Sequence, residues 1–206
     1  MNPTLQAFAI MAALVAGVFI WLYYRIPQAY AEDLAGRVRM FEAAGVAGEV
    51  TWDEGKGVYL FEHEGRGYGL RYVSAGAYGG DESCVWASLE TKIDSKAAFS
   101  LRRKSTAERL LSVVGLAKCV PSGDPRFDDH FTIMSESPDF AARYFSRDER
   151  RQAARSLFGQ GFGGISLKEG TLSLAWVAFR SGSSAGDGPL LRAGLEAMKS
   201  LTMLGA

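Results

Sequence analysis

The feature that most constrains this chain is an apolar run near its start, from Leu5 to Tyr24, which contains no charged residue. Its twenty residues are interrupted only by the polar Gln6. At about 1.5 Å per helical residue, they are long enough to cross the roughly 30 Å hydrocarbon core of a bilayer. A cleaved signal peptide usually has Lys or Arg before a shorter apolar run, and none precedes this one, although Ala29-Tyr30-Ala31 fits a cleavage site. The sequence therefore predicts a retained transmembrane anchor over residues 1–26.

Two residue patterns within the run predict what the anchor contacts. Trp21, Tyr23 and Tyr24 lie together at its C-terminal end, and amphipathic rings favour the headgroup layer, so they form a predicted membrane-interface belt. Small residues recur every four positions at Ala9, Ala13 and Gly17, a spacing that lets a second transmembrane helix approach closely. These three residues form a predicted helix-docking interface. The alternative is that Ala and Gly are simply abundant in this chain.

The position of the cations predicts the orientation. Arg25, Arg37 and Arg39 follow the run and no cation precedes it, so the positive-inside rule puts the rest of the chain in the cytoplasm, on the inner face of the cytoplasmic membrane. A disulfide between Cys84 and Cys119 would indicate the opposite side. Two buried free thiols are the alternative, and we favour them because free Cys is commonly buried. The pair has no CxxC spacing, which excludes a zinc knuckle, a thioredoxin-type pair and a c-type haem box.

The overall charge is balanced. Lys plus Arg and Asp plus Glu number 23 each, so no net field draws the chain to nucleic acid or to acidic membranes. We therefore expect no nucleic acid as a partner. The predicted anchor instead implies the lipid bilayer and integral-membrane protein subunits, contacted through the transmembrane helix and the soluble domain.

Hydrophobic periodicity divides the remainder into two parts. Over residues 27–45, Leu34, Val38 and Phe41 recur at helical spacing and Gly45 supplies a C-terminal stop, which predicts a juxtamembrane amphipathic helix. Residues 46–206 are predicted to form one soluble α+β domain.

The first half of that domain alternates in twos, which is typical of β-strands. Gly-bearing turns at residues 54–57 and 64–67 separate the first three runs, and such short links between successive strands predict an antiparallel meander. The alternating residues are Val50/Trp52, Val58/Leu60, Tyr68/Leu70/Tyr72, Val85/Ala87/Leu89 and Phe99/Leu101.

The second half carries helix-start signals. Predicted helices lie near 105–117, 138–145 and 147–158; the signals are Ser105 with Glu108, Ser137-Pro138-Asp139, and Ser146 with Glu149. Phe131 to Met134 can be a strand, and a hairpin is predicted around Lys168-Glu169-Gly170. After a loop at 181–188, Asp187-Gly188-Pro189 opens a last helix with Leu191, Leu195 and Met198 on one face.

Together these elements predict an α+β fold: one N-terminal transmembrane helix followed by an antiparallel sheet with helices packed on one side. The two groups of hairpins are expected to share one sheet.

The most chemical-looking cluster comprises Asp124, Asp128, Asp129 and His130. Carboxylates with an imidazole could bind a divalent metal or perform acid–base chemistry. However, His63 is the only other histidine, and Gly-Asp-Pro is ordinary turn chemistry. The sequence favours a structural turn, with no catalytic, metal or cofactor site.

Two further patterns are also interpreted as structural. The glycine-rich stretch at 159–164 follows a predicted helix and precedes a strand, the reverse of a phosphate-binding loop, so it predicts a helix C-terminal turn. Arg102-Arg103-Lys104 and the basic run from Arg147 to Arg155 are interpreted as solvated faces, since no aromatic platform accompanies them.

The stretch from Gly123 to Phe145 resembles a motif of uncharacterised bacterial membrane-anchored domains, in which Gly-Asp-x-x-Phe-Asp-x-x-Phe precedes a strand and a helix start. The matching residues are Gly123, Asp124, Phe127, Asp128, Phe131 and Ser137-Pro138. The resemblance implies a membrane-anchored domain and no known activity.

The leading functional hypothesis is a non-catalytic, single-pass accessory subunit that docks on a larger integral-membrane complex, for example a respiratory or photosynthetic assembly. A membrane-tethered sensor or small-ligand-binding domain is the alternative. An enzyme that uses the Asp124 to His130 cluster is the third hypothesis.

Overall fold

The computed structural model describes residues 36–74, 85–105, 119–178 and 187–203. Its centre is one eight-stranded antiparallel sheet with the strand order β1-β2-β3-β4-β8-β7-β5-β6. The strands are β1 Val50–Asp53, β2 Val58–His63, β3 Arg66–Ser74, β4 Val85–Lys92, β5 Phe99–Arg103, β6 Phe131–Ser135, β7 Phe162–Lys168 and β8 Thr171–Ala178.

Five helical segments accompany the sheet in the described residues. They are α1 (residues 36–43), α2 Pro125–Asp128, α3 Pro138–Phe145, α4 Asp148–Gly159 and α5 Gly188–Thr202. Proline stands near the start of α2, α3 and α5, where its missing N–H costs nothing. Gly45, with a φ of 79°, follows α1 and ends it in the left-handed conformation that glycine adopts without strain.

The register across the sheet defines a helix face. The cross-strand row Leu70, Leu89, Leu174, Ile165, Leu101 and Ile133 crosses six neighbouring strands, and each member is at most 1% exposed. Because successive side chains of a strand point to opposite faces of the sheet, this row is enough to assign each strand residue to the helix face or to the opposite face.

The described helices pack on this helix face. A Cβ added to Gly194 of α5 would lie 3.0 Å from Leu89, so glycine here permits close helix–sheet contact. The ring of Tyr144 in α3 lies 4.9 Å from that of Phe99, and Phe158 of α4 lies 4.9 Å from Phe131.

The structure confirms the α+β class and the single antiparallel sheet, but the meander is shorter than predicted. Strands β1 to β4 pair in sequence order, whereas β5 pairs with β6 and β7, and β8 takes the place beside β4. The link from β4 to β5 lacks the tight glycine turn of the β1–β2 and β2–β3 links, and β8, the second pairing partner of β4, lies far away in sequence. Alternation alone does not specify such a partner.

Two local predictions were wrong. Val38, predicted to lie on the buried face of α1, is 49% exposed, whereas Phe41 is buried as predicted and Met40 is buried beside it. Ser146 does not cap α4, whose N-cap position is Arg147, because the Ser146 hydroxyl donates to the carbonyl of Arg143 and ends α3.

In the part of the chain that the structure describes, no helix combines the length and apolar character needed to cross a bilayer. The predicted anchor over 1–26 lies outside the described residues, as do residues 27–35 of the predicted juxtamembrane helix and all but Ser105 of the helix predicted near 105–117.

Candidate functional site

The side of the sheet opposite the helix face carries a row of serines, and we name it the serine face. Ser88, Ser100, Ser166 and Ser173 lie on four neighbouring strands, and Ala175 and Gly164 lie among them. All of them are half-buried although their side chains are short. The centre of this face is therefore shallow and rich in hydroxyl groups.

Large apolar side chains border the shallow centre. Trp86 and Val177 form a cross-strand pair and are 40% and 45% exposed, while Leu60 and Met134 border it on either side at 39% and 47%. A core face would have buried these side chains, whereas a water-facing sheet would normally place polar residues there. Toward β6 the face is more covered, since Thr132 is 2% exposed.

The Trp86 ring lies close to the backbone of a glycine in β7. A Cβ on Gly163 would lie 2.9 Å from the Trp86 ring, so a side chain there would clash with the indole in its present position. The register between β7 and β8 shifts at this point, as in a β-bulge. The glycine stretch at 159–164 thus has two roles, because Gly161, with a φ of 103°, follows the end of α4 as predicted.

A groove of about 880 Å³ lies on the β1-to-β4 half of the serine face. The groove exists because Gly67 and Gly69 have no side chains; their backbone forms its floor, next to Val58 and Leu60. Both cations and carboxylates line it, and Arg71 and Glu90 lie 4.0 Å apart. The groove could take a ligand of mixed polarity.

The Asp124 to His130 cluster is organised by structural contacts. Asp124 caps α2: its carboxylate accepts the Arg126 N–H at 3.0 Å and the Arg155 guanidinium at 2.6 Å. Burial acts to raise the pKa of Asp124, but the hydrogen bonds from Arg155 and Arg126 outweigh it and lower the pKa. Both carboxylate oxygens of Asp128 accept the backbone N–H of Ser122, at 3.0 and 3.2 Å.

The remaining members of the cluster, Asp129 and His130, are exposed at the end of α2. Among the described residues, no three His, Cys, Asp or Glu side chains are arranged to hold a metal ion. Cys119 is a half-buried free thiol, and Cys84 lies outside the described residues.

Sequence reasoning missed a small basic pocket of about 270 Å³. Arg103, Lys104, His130 and Arg155 line it, with Phe131 and Phe158 as apolar walls. Arg103 and Lys104 belong to one of the basic runs interpreted as solvated faces, and Arg155 belongs to the other. They are brought together because β5 ends beside the end of α4, where Arg103 donates to the Phe158 carbonyl. No local sequence signal indicates that proximity.

The other predicted site residues lie outside the described part of the chain. These are the helix-docking residues Ala9, Ala13 and Gly17 and the interface belt Trp21, Tyr23 and Tyr24. They stay predictions from sequence.

No protein-family model matches the chain, and neither does any curated protein. Among solved structures, the crystal structure of the mycobacterial trehalose monomycolate transport factor A, TtfA, is similar at a TM-score of 0.44 and 14% sequence identity. The similarity covers 81% of this chain and 96% of that chain. No functional conclusion follows from a similarity at that level.

Proposed function

We propose that this chain is a non-catalytic, membrane-anchored accessory subunit and that the serine face is the surface with which its domain docks on an integral-membrane protein. The observation that carries the proposal is the exposed apolar pair Trp86 and Val177 beside the shallow serine centre. Contiguous exposed apolar surface rimmed by polar residues is typical of protein interfaces.

The chemistry of the face suits a protein partner. Trp86 is a large, rigid side chain of the kind that anchors interfaces, and its ring lies close to Gly163. The small residues behind it, such as Ser173 and Ala175, let a partner's backbone approach, and the hydroxyl groups can satisfy its polar atoms. We place the membrane anchor at residues 1–26, as the sequence predicts, so the partner is the extramembrane part of a neighbouring membrane subunit.

A matched pair of substitutions tests the docking surface. Val177→Arg puts a charge into the apolar border, whereas Val38→Arg makes the same change in α1, at a similar exposure of 49% against 45%. We expect the first variant to lose its co-purifying membrane subunits in mild detergent and the second to retain them, as measured by quantitative mass spectrometry. Equal retention by both folded variants would rule out the serine face as the docking surface.

The anchor makes a separate contribution. If Ala9, Ala13 and Gly17 form a helix-docking interface, Ala13→Leu together with Gly17→Leu should still insert into the membrane but lose the partner on extraction. If that double variant keeps the whole complex, the anchor is a passive tether and the domain alone provides the docking.

A second candidate function is a membrane-tethered sensor or small-ligand-binding domain, and the groove at Gly67 and Gly69 favours it. Its volume is within the range of small-molecule sites. A Gly69→Leu variant would fill the groove, leaving Trp86 and Val177 unchanged. Loss of partner subunits in Val177→Arg but not in Gly69→Leu supports docking, whereas retention of the subunits by both folded variants favours the ligand-binding function.

A further inference from the structure

The basic pocket lies at one particular end of the sheet. Strands β3, β5 and β8 finish at this end and β4 and β7 begin there, as their registers show. Helix α4 ends here and α5 begins here, and Met40 of α1 contacts both Gly188 at the start of α5 and Tyr72 near the end of β3. We name it the proximal end, because the first described residues of the chain are nearer to it than to the opposite, distal end.

The pocket has more positive charge than its acidic neighbours neutralise. None of its lining residues is an acid. The nearby Asp124 carboxylate forms ion pairs with two arginines, Arg155 at 2.6 Å and Arg151 at 3.5 Å, so its one negative charge cannot neutralise both. Lys104 donates to the carbonyl of Asp128 at 3.2 Å and Arg103 to that of Phe158. A carbonyl accepts a hydrogen bond without removing the charge of the cation, so Arg103 and Lys104 keep their charges.

We infer that the basic pocket binds the phosphate group of an anionic lipid headgroup at the membrane surface. Guanidinium and ammonium groups are the usual protein ligands of phosphate, and 270 Å³ is enough for one headgroup phosphate and part of its glycerol. This inference rests on the proposed anchor at residues 1–26.

The position of the pocket is consistent with that ligand. Residues 27–35 alone separate the predicted anchor from α1, and even a fully extended segment of that length reaches only about 30 Å. The proximal end of the domain is therefore kept near the headgroups. The balanced net charge of the chain does not prevent this contact, because basic side chains act on an anionic surface over roughly a Debye length.

The test uses the full-length protein in detergent, with native mass spectrometry as the readout. Phosphatidylglycerol is titrated against phosphatidylcholine for the wild type and for Arg103→Gln with Lys104→Gln. Each cation near an anionic surface raises the affinity by about fivefold. Removing two should therefore weaken phosphatidylglycerol binding by about thirtyfold, with little change for phosphatidylcholine. Arg143→Gln with Lys168→Gln is the control, since it removes one exposed Arg and one exposed Lys outside the pocket.

A charge-preserving variant separates folding from binding. Arg103→Lys with Lys104→Arg keeps both charges and should retain most of the preference, and urea unfolding of every variant shows whether it is folded. Equal binding of the two lipids by the wild type, or equal losses in the pocket and control variants, would overturn the inference. If inorganic phosphate binds the wild type more tightly than phosphatidylglycerol does, and Arg103→Gln with Lys104→Gln abolishes that binding, the ligand is free phosphate and the lipid assignment is wrong.

One further measurement distinguishes this inference from the proposed function. Alkaline carbonate extraction of native membranes reports whether the chain is anchored. If the protein is extracted, the anchored function and the headgroup site both fail. If it stays in the membrane but shows no lipid preference, only the headgroup site fails.

Discussion

Asp128 offers a sharp test of whether the acidic cluster is structural. Its two carboxylate oxygens accept one backbone N–H, that of Ser122, which is 1% exposed. In Asp128→Ala that N–H would lose its acceptor in a place that water does not reach. The neighbouring Asp129 is exposed, so Asp129→Ala makes the same chemical change without burying an unpaired group.

The expected magnitude follows from these contacts. A hydrogen bond to a charged group contributes about 1.5–3 kcal/mol, and a buried donor left unpaired costs a similar amount. We expect Asp128→Ala to lower the free energy of unfolding by about 2 kcal/mol, and Asp129→Ala to change it by less than about 0.5 kcal/mol. Asp128→Asn keeps one carbonyl acceptor and should lie between the two.

Urea unfolding of the full-length protein in mild detergent measures these differences, with the fluorescence of the fully buried Trp176 as the probe. Equal losses for Asp128→Ala and Asp129→Ala would show that the Ser122 contact is not what Asp128 provides. A stoichiometric metal ion that purified protein loses in either variant would contradict the structural interpretation altogether.

Three other predictions use the same unfolding assay. Gly161→Ala should destabilise by about 1–2 kcal/mol because its φ of 103° disfavours a side chain, whereas Gly159→Ala, helical and with no atom within 4 Å of the added Cβ, should stabilise by up to about 1 kcal/mol. Tyr144→Phe should cost about 1–2 kcal/mol, since the buried Leu201 carbonyl loses the hydroxyl donor; burial raises the pKa of Tyr144, which keeps that hydroxyl protonated. Burial also raises the pKa of Asp187, against the opposing Trp176 hydrogen bond. The native state therefore binds that proton more tightly than the unfolded chain does, and this group's contribution weakens stability as the pH rises from its unfolded pKa through its raised native pKa. The free energy of unfolding of Asp187→Asn, relative to that of the wild type, should therefore be higher at pH 7.5 than at pH 4, and a difference that does not change with pH would contradict this.

Local patterns were sufficient for most individual elements. The turn between β7 and β8 was predicted at Glu169-Gly170, and both residues have positive φ, as a two-residue hairpin turn requires. The strand Phe131–Ser135 and the last helix were likewise predicted from alternation and from a proline start. These signals depend on neighbours in sequence, so one sequence is enough to detect them.

Long-range placement could not be predicted in the same way. Val58 and Leu60 alternate as regularly as Leu70 and Tyr72, yet they lie on the serine face rather than the helix face. Alternation shows that two residues share a side of a strand, but the side is set by the strands paired with it. The basic pocket was missed for the same reason, because its cations come from β5 and α4, more than fifty residues apart.

The two proposed surfaces constrain each other. The strands run between the proximal and distal ends, and the basic pocket lies at the proximal end, so headgroup binding there would set the strands steeply to the membrane plane. The serine face would then be roughly perpendicular to the membrane plane and would face neighbouring proteins in the membrane. Trp86 and Val177 would lie at its proximal edge, close to the membrane. That is the direction in which a neighbouring membrane subunit would stand. Neutralising Arg103 and Lys104 should therefore weaken docking in bilayers while leaving it intact in detergent, where no headgroup layer orients the domain.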